Sequence, residues 1–169
     1  MANLSFASLA AALEAGTAGN QLGALIDAYE AWACGLEARN DDIPASLADV
    51  KVRHLEAIEE TVARMRDGVH LLETTPAAAR AFALANRAML IQRRNAAEDR
   101  AGATHALGDA GSDPDYAAAA GSWRPFQLAF ILLNLPGITK FDHPERSEAP
   151  EAVADLLWFP TGGGKTEAY

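Results

Sequence analysis

Between Leu47 and Leu72, the residues Leu47, Val50, Leu55, Ile58, Val62, Met65, Val69 and Leu72 recur at steps of three, four or five. No other stretch constrains the fold as much, because this spacing lays one apolar seam along a long amphipathic helix. A seam of that length has to be covered by other elements, and the rest of the chain supplies mainly helices. The 169 residues are 50% hydrophobic but only 7% aromatic, and alanine is the largest part of the apolar share. Such a composition favours helix and close helix packing over sheet.

The flanking stretches read accordingly. From Asn3 or Ser5 to about Ala15, Leu4, Phe6, Leu9 and Leu13 share one helical face, with Gly16 and Gly19 as stop signals. A second helix is expected from about Asn20 to Arg39 through Leu22, Leu25, Ile26, Tyr29, Trp32 and Leu36. Asn40 to Pro44 is a turn by composition, and Ser46 with Asp49 three residues on predicts a capped start for the long helix. Charged residues such as Glu56, Glu59, Glu60, Arg64 and Arg66 fill the surface beside the seam and read as a solvated face. Thr75-Pro76 breaks this helix, and Pro76 suits the first position of the next. From Ala77 to about Arg100, one face carries Phe82, Ala85, Met89 and Gln92 and a neighbouring face Leu84, Ala88 and Ile91. The expectation is a helix buried on both, with Asn86, Arg87 and Gln92 in need of partners.

Residues 101–121 are rich in Gly, Ala and Asp and read as a linker. Its Asp109, Asp113 and Asp115 lack the ligand spacing of a calcium loop and read as solvated acids. His54, His70, His105 and His143 are far apart, so no zinc site is supported. At Ser122 the composition changes. Trp123 to Leu135 predicts a short, strongly apolar helix closed by Pro136-Gly137, followed by a polar connection from Pro144 to Glu151. Val153 to Phe159 then reads as a strand apolar at nearly every position, the pattern of a strand covered on both faces.

Acidic residues number 23 against 14 Lys and Arg, a formal charge of −9. No field of the chain as a whole attracts nucleic acid, and direct DNA contact by the helical part is disfavoured. The single cysteine, Cys34, lies in an apolar helical pattern and is expected as a small buried thiol. With no basic leader and no apolar run near the roughly 18 residues needed to span a bilayer, the expectation is a cytoplasmic protein without membrane contact.

Chemistry concentrates at the far end. After the apolar run come Pro160, Thr161, Gly162, Gly163, Gly164, Lys165 and Thr166. Glycines let a backbone turn through conformations closed to residues with a Cβ and approach phosphates closely. Lys165 would place a charge between the β- and γ-phosphates of ATP, and the Thr166 hydroxyl would complete the coordination of Mg²⁺. The same potential comes from the amides of a helix start. Thr161 to Thr166 are therefore candidate phosphate- and Mg-binding residues of a Walker A loop.

Pro-Thr-Gly-x-Gly-Lys-Thr, with Phe159 where other P-loops carry a small residue, resembles the phosphate loop of superfamily 2 helicases more than that of AAA-type NTPases or kinases. Arg124-Pro125-Phe126-Gln127 resembles the Arg-Pro-aromatic-Gln element those enzymes carry upstream, in which the glutamine amide reads the adenine edge. Together with Phe82-Ala83-Leu84-Ala85-Asn86-Arg87-Ala88-Met89-Leu90, these segments look like the helicase component of DISARM-type anti-phage defence systems; the resemblance is specific from Ala77 onward and general before it. It implies an ATP-dependent DNA translocase acting with other defence-system subunits, Arg124, Phe126 and Gln127 at the adenine, and the fold class mainly α: a helical bundle over 1–121, then, over 122–169, the first strand and phosphate loop of an incomplete RecA-like α/β lobe. The Asp-Glu pair, the arginine finger and the DNA-gripping motifs of such an enzyme would all follow Lys165, so the chain is expected to be the N-terminal part of a larger helicase and inactive alone. The alternative is a helical protein-interaction module with a vestigial P-loop.

Overall fold

The computed structural model describes residues 3–39, 43–100, 121–146, 152–158 and 165–168, with backbone alone at 96–100 and 167. Its α-helices are α1 (Phe6–Glu14), α2 (Ala18–Glu37), α3 (Ala48–Thr74), α4 (Pro76–Arg100) and α5 (Pro125–Thr139). Helix α3 is the hub: α2, α4 and α5 all pack on it, and α1 packs chiefly on α4. One apolar cluster runs through all five, with Phe6, Leu9, Leu22, Ile26, Met65, Leu90, Leu128 and Leu132 almost wholly buried.

Local chemistry sets the helix ends. The Ser5 hydroxyl accepts the Ser8 N–H at 3.1 Å and caps α1. Gly16, at φ 68°, ends it: the Gly16 N–H reaches the Leu13 carbonyl at 3.2 Å and the Thr17 N–H the Ala12 carbonyl at 2.8 Å. That is the pair of bonds in a Schellman turn, where glycine occupies the left-handed position without a Cβ clash. The chain returns after the linker by pairing with this start. Ser5 and Ser122 form an antiparallel bridge, with Phe6 N–H to Gly121 O at 3.1 Å and Trp123 N–H to Leu4 O at 2.9 Å.

Several expectations change. Ser46 caps nothing: α3 is entered through a 3₁₀ turn, Ala45–Leu47, closed by the Leu47 N–H on the Pro44 carbonyl at 2.8 Å. Helix α4 begins at Pro76 as expected but buries one face, Ala78, Phe82, Ala83, Asn86 and Leu90, while Leu84 and Ile91 are exposed. Alanine explains the error, since it is apolar enough to widen a periodic pattern yet small enough to sit in water at little cost. Cys34 is exposed, not buried. It lies beside buried Ala33 on α2, which presents only a narrow stripe to its neighbours.

Helix α5 does not stop at Pro136-Gly137 but runs to Thr139, with the Lys140 N–H on the Pro136 carbonyl at 2.9 Å. Proline removes the N–H that would otherwise bond the carbonyl of Leu132. That carbonyl faces Gly68 of α3, so closely that a Cβ at Gly68 would overlap it. Glycine is thus what lets the two backbones meet.

Residues 152–158 form no strand among the described residues. Leu156 and Trp158 are 82% and 88% exposed, where burial on both faces was expected. A lone apolar run has no neighbour to complete its backbone hydrogen bonds, and strands need partners to exist. The turn Asn40–Asp42, the linker acids and His105, and residues 159–164 lie outside the described residues.

Candidate functional site

The phosphate-loop candidates fall in two groups. Thr161, Gly162, Gly163 and Gly164 lie outside the described residues. Lys165 is half-buried and Thr166 exposed, at the start of a three-residue 3₁₀ turn, Thr166–Ala168, closed by the Ala168 N–H on the Lys165 carbonyl at 2.9 Å. Ala168 is buried, and the turn packs on α5, the helix that carries the other candidates. The exposed Thr166 thus lies two residues before the buried Ala168.

At the head of α5, Arg124 is exposed, Phe126 half-buried and Gln127 2% exposed. Pro125 fixes the first helical φ, and the Arg124 N–H donates to Gln127 Oε1 at 2.8 Å. A glutamine at the third helical position that takes up a free N–H of the first turn is one half of a capping box. Gln127 therefore has a structural duty at the helix start.

Immediately before it, Trp123 is locked in place. Its indole N–H donates to Asn86 Oδ1 at 2.8 Å, and Asn86 in turn donates to the Phe82 carbonyl at 2.8 Å. Its ring meets Phe6 edge-on at 5.0 Å between centroids. Asn86 is wholly buried and satisfied, which is how a polar group survives in a core. The expectation that Asn86 needed a partner is met, and Arg87 reaches Glu14 at 2.6 Å. Gln92 is exposed instead.

The most elaborate polar cluster was not visible in the sequence. Arg64, near the middle of α3, places Nε and Nη2 each 2.9 Å from the Glu145 carboxylate. Its Nη1 and Nη2 lie 2.8 and 2.6 Å from Asp155. Two bidentate forks on one guanidinium use the planar geometry that lysine lacks. The hydrogen bond to Asp155, with further help from Glu145, holds the guanidinium pKa above its ordinary value against the opposing effect of burial. Beside the cluster, the Val153 N–H donates to the Glu145 carbonyl at 2.9 Å. The chain on both sides of 147–151 is thereby fastened to α3. Read from sequence, Arg64 belonged to the solvated face of the long helix. Its actual partners are 81 and 91 residues distant, beyond any local signal.

Next to this anchor lies an apolar groove of about 730 Å³ between α2, α3 and α5, lined among others by Tyr29, Trp32, Met65, Phe126, Phe130 and Leu156. Tyr29 and Trp32 stack at 5.5 Å, and burial raises the Tyr29 pKa. Among the described residues no group of His, Cys, Asp and Glu is placed to hold a metal ion, and no helix is long and apolar enough to cross a membrane.

Fold and site together define a mainly helical protein in which Glu145 and Asp155 are strapped to the longest helix by a double arginine fork. No family model matches the chain. It is DISARM-related: it is 36% identical to the DISARM protein DrmA of Bacillus paralicheniformis over 152 residues, 89% of its own length. That match is longer than the stretch from Ala77 onward, so it extends into the part before Ala77, where the resemblance was only general. The chain spans 12% of the length of that relative.

Proposed function

We propose that the chain is the ATP-binding N-terminal segment of a superfamily 2 DNA helicase or translocase of an anti-phage defence system in the cytoplasm, and that it binds MgATP without completing the hydrolytic site. The observation that carries this reading is the order Pro160-Thr161-Gly162-Gly163-Gly164-Lys165-Thr166 in a chain related over most of its length to a DISARM protein. Thr161 to Gly164 would offer backbone N–H groups to the phosphates, Lys165 its ammonium and Thr166 its hydroxyl to the Mg²⁺. The exposure of Thr166 and the partial exposure of Lys165 are compatible with those roles. Arg124, Phe126 and Gln127 would meet the adenine, as the resemblance of Arg124 to Gln127 to an adenine-reading element implies.

On this reading, residues 122–169 open an ATPase lobe seated on the helical body of 1–121. Val153 to Phe159 becomes its first strand once neighbouring strands supply the missing hydrogen bonds. DNA contact and the acid–base chemistry of hydrolysis fall to regions beyond the 12% of the relative that is matched, and other defence-system proteins are the expected partners.

The test is MgATP binding by the intact polypeptide and by Lys165→Ala. Saturable binding that the variant weakens by a factor of ten or more supports the reading. No binding by either leaves a helical interaction module with a vestigial phosphate loop, the alternative favoured by the apolar groove and by Trp32, 54% exposed beside it.

A further inference from the structure

We propose that Arg64 is a positioning residue for nucleotide binding: by gripping Glu145 and Asp155 together it fixes where the chain enters the stretch that ends in Lys165 and Thr166. The proposal rests on the nucleotide-binding reading above and adds to it a role for the helical body.

The geometry has three parts. Glu145 ends up beside Val153 because the Val153 N–H bonds its carbonyl at 2.9 Å. Asp155 follows two residues later and is half-buried between exposed Ala154 and exposed Leu156. Both carboxylates then converge on one guanidinium through four contacts of 2.6 to 2.9 Å. All three side chains are largely shielded from water, at 16% exposure for Arg64, 24% for Glu145 and 18% for Asp155.

A cluster of this kind does more for geometry than for stability. Desolvating three charges offsets much of their attraction, so neutral replacement of the whole set is often harmless to folding. What neutral replacement cannot reproduce is direction, because two coplanar forks define the angle as well as the position of the chain they hold. The exposed cluster two residues on shows the difference. Arg66 also bridges two carboxylates, Asp27 and Glu30, but at 48% exposure and with one nitrogen serving both. Such a pair restrains little.

Downstream of Asp155 the segment carries exposed Leu156 and Trp158, and the chain is next described at Lys165, whose turn packs on α5. Arg64 on α3 therefore holds the chain at Asp155, and α5 holds the turn that follows Lys165. If release at Asp155 lets the competent arrangement fall to a tenth of the population, the apparent Kd rises about tenfold.

Three forms of the intact polypeptide test this with MgATP as the probe: wild type, Arg64→Lys, and the neutral set Arg64→Met with Glu145→Gln and Asp155→Asn. Lysine keeps the charge and loses the forks; the neutral set removes the buried charges and loses the forks as well. The expected result is a Tm near wild type in both, a Kd for MgATP raised about tenfold in both, and faster amide exchange at Val153. A Kd that stays at the wild-type value in Arg64→Lys and in the neutral set overturns the proposal while leaving the phosphate-loop reading intact. Absence of MgATP binding by the unaltered chain overturns both. Lys165→Ala separates the roles, since it should abolish binding with Val153 exchange unchanged.

Discussion

Around Gly68 the molecule is held by backbone pressed on backbone, whereas at Glu145 and Asp155 it is held by charge. In the first region α3 and α5 meet at the carbonyl of Leu132 with no side chain between them, inside the apolar cluster that joins all five helices. In the second, one guanidinium and one backbone hydrogen bond fasten a segment whose Leu156 and Trp158 are exposed. Packing of the first kind tolerates no added volume. The second kind tolerates sequence change so long as direction is kept. A region meant to be rigid can use the former; a segment with no strand partner among the described residues can use the latter without a core of its own.

The contrast can be broken most forcefully at Gly68. Gly68→Ala places a methyl group on the Leu132 carbonyl, so the two helices must separate. The expected loss is about 3 kcal/mol, at the upper end for overpacked cores, read from the denaturant midpoint. A loss near zero would mean that α3 and α5 slide freely and that the body is no more rigid than the strap. Next comes the buried polar link. Asn86→Leu leaves the Trp123 indole N–H buried without its acceptor and should cost about 2 kcal/mol, with loss of the near-UV signal of a fixed tryptophan. Smallest is Arg66→Ala, expected to cost below about 1 kcal/mol because the pair is exposed and screened. A larger cost would erase the distinction between Arg66 and Arg64. Together with the Lys165 and Arg64 variants, these measurements separate what folds the body from what aims its last segment.

The helical body was largely legible in the sequence because its rules are local. Pro76 as a helix start, Gly16 as a helix stop and the Leu47–Leu72 seam each act within a few residues of themselves. The exceptions were also local conflicts settled by packing. Ser46 lost the cap to a 3₁₀ turn; Pro136 stayed inside α5 because the carbonyl it deprives of a partner sits against Gly68. Alanine misled twice, widening the expected face of α4 and suggesting burial for Cys34. A residue that is stable inside or outside carries little information about which side it will face.

Gln127 shows how one residue can satisfy two descriptions. In sequence it resembles the glutamine of an adenine-reading element; in the fold it caps α5 through the Arg124 N–H. The capping function needs only a neighbour three residues away, and the adenine function needs a ligand, so the first does not exclude the second.

By itself the sequence determined that the chain is mainly helical, where its helices begin and end to within a few residues, and which residues form a phosphate-loop pattern, because propensity, periodicity and motif order are properties of contiguous residues. Only the tertiary structure decided that Arg64 joins Glu145 to Asp155, that Trp123 hangs from Asn86, and that Gly68 must be glycine. Each of these depends on groups brought together from distant parts of the chain, and the strength of each comes from the exclusion of water, which no stretch of sequence can supply alone.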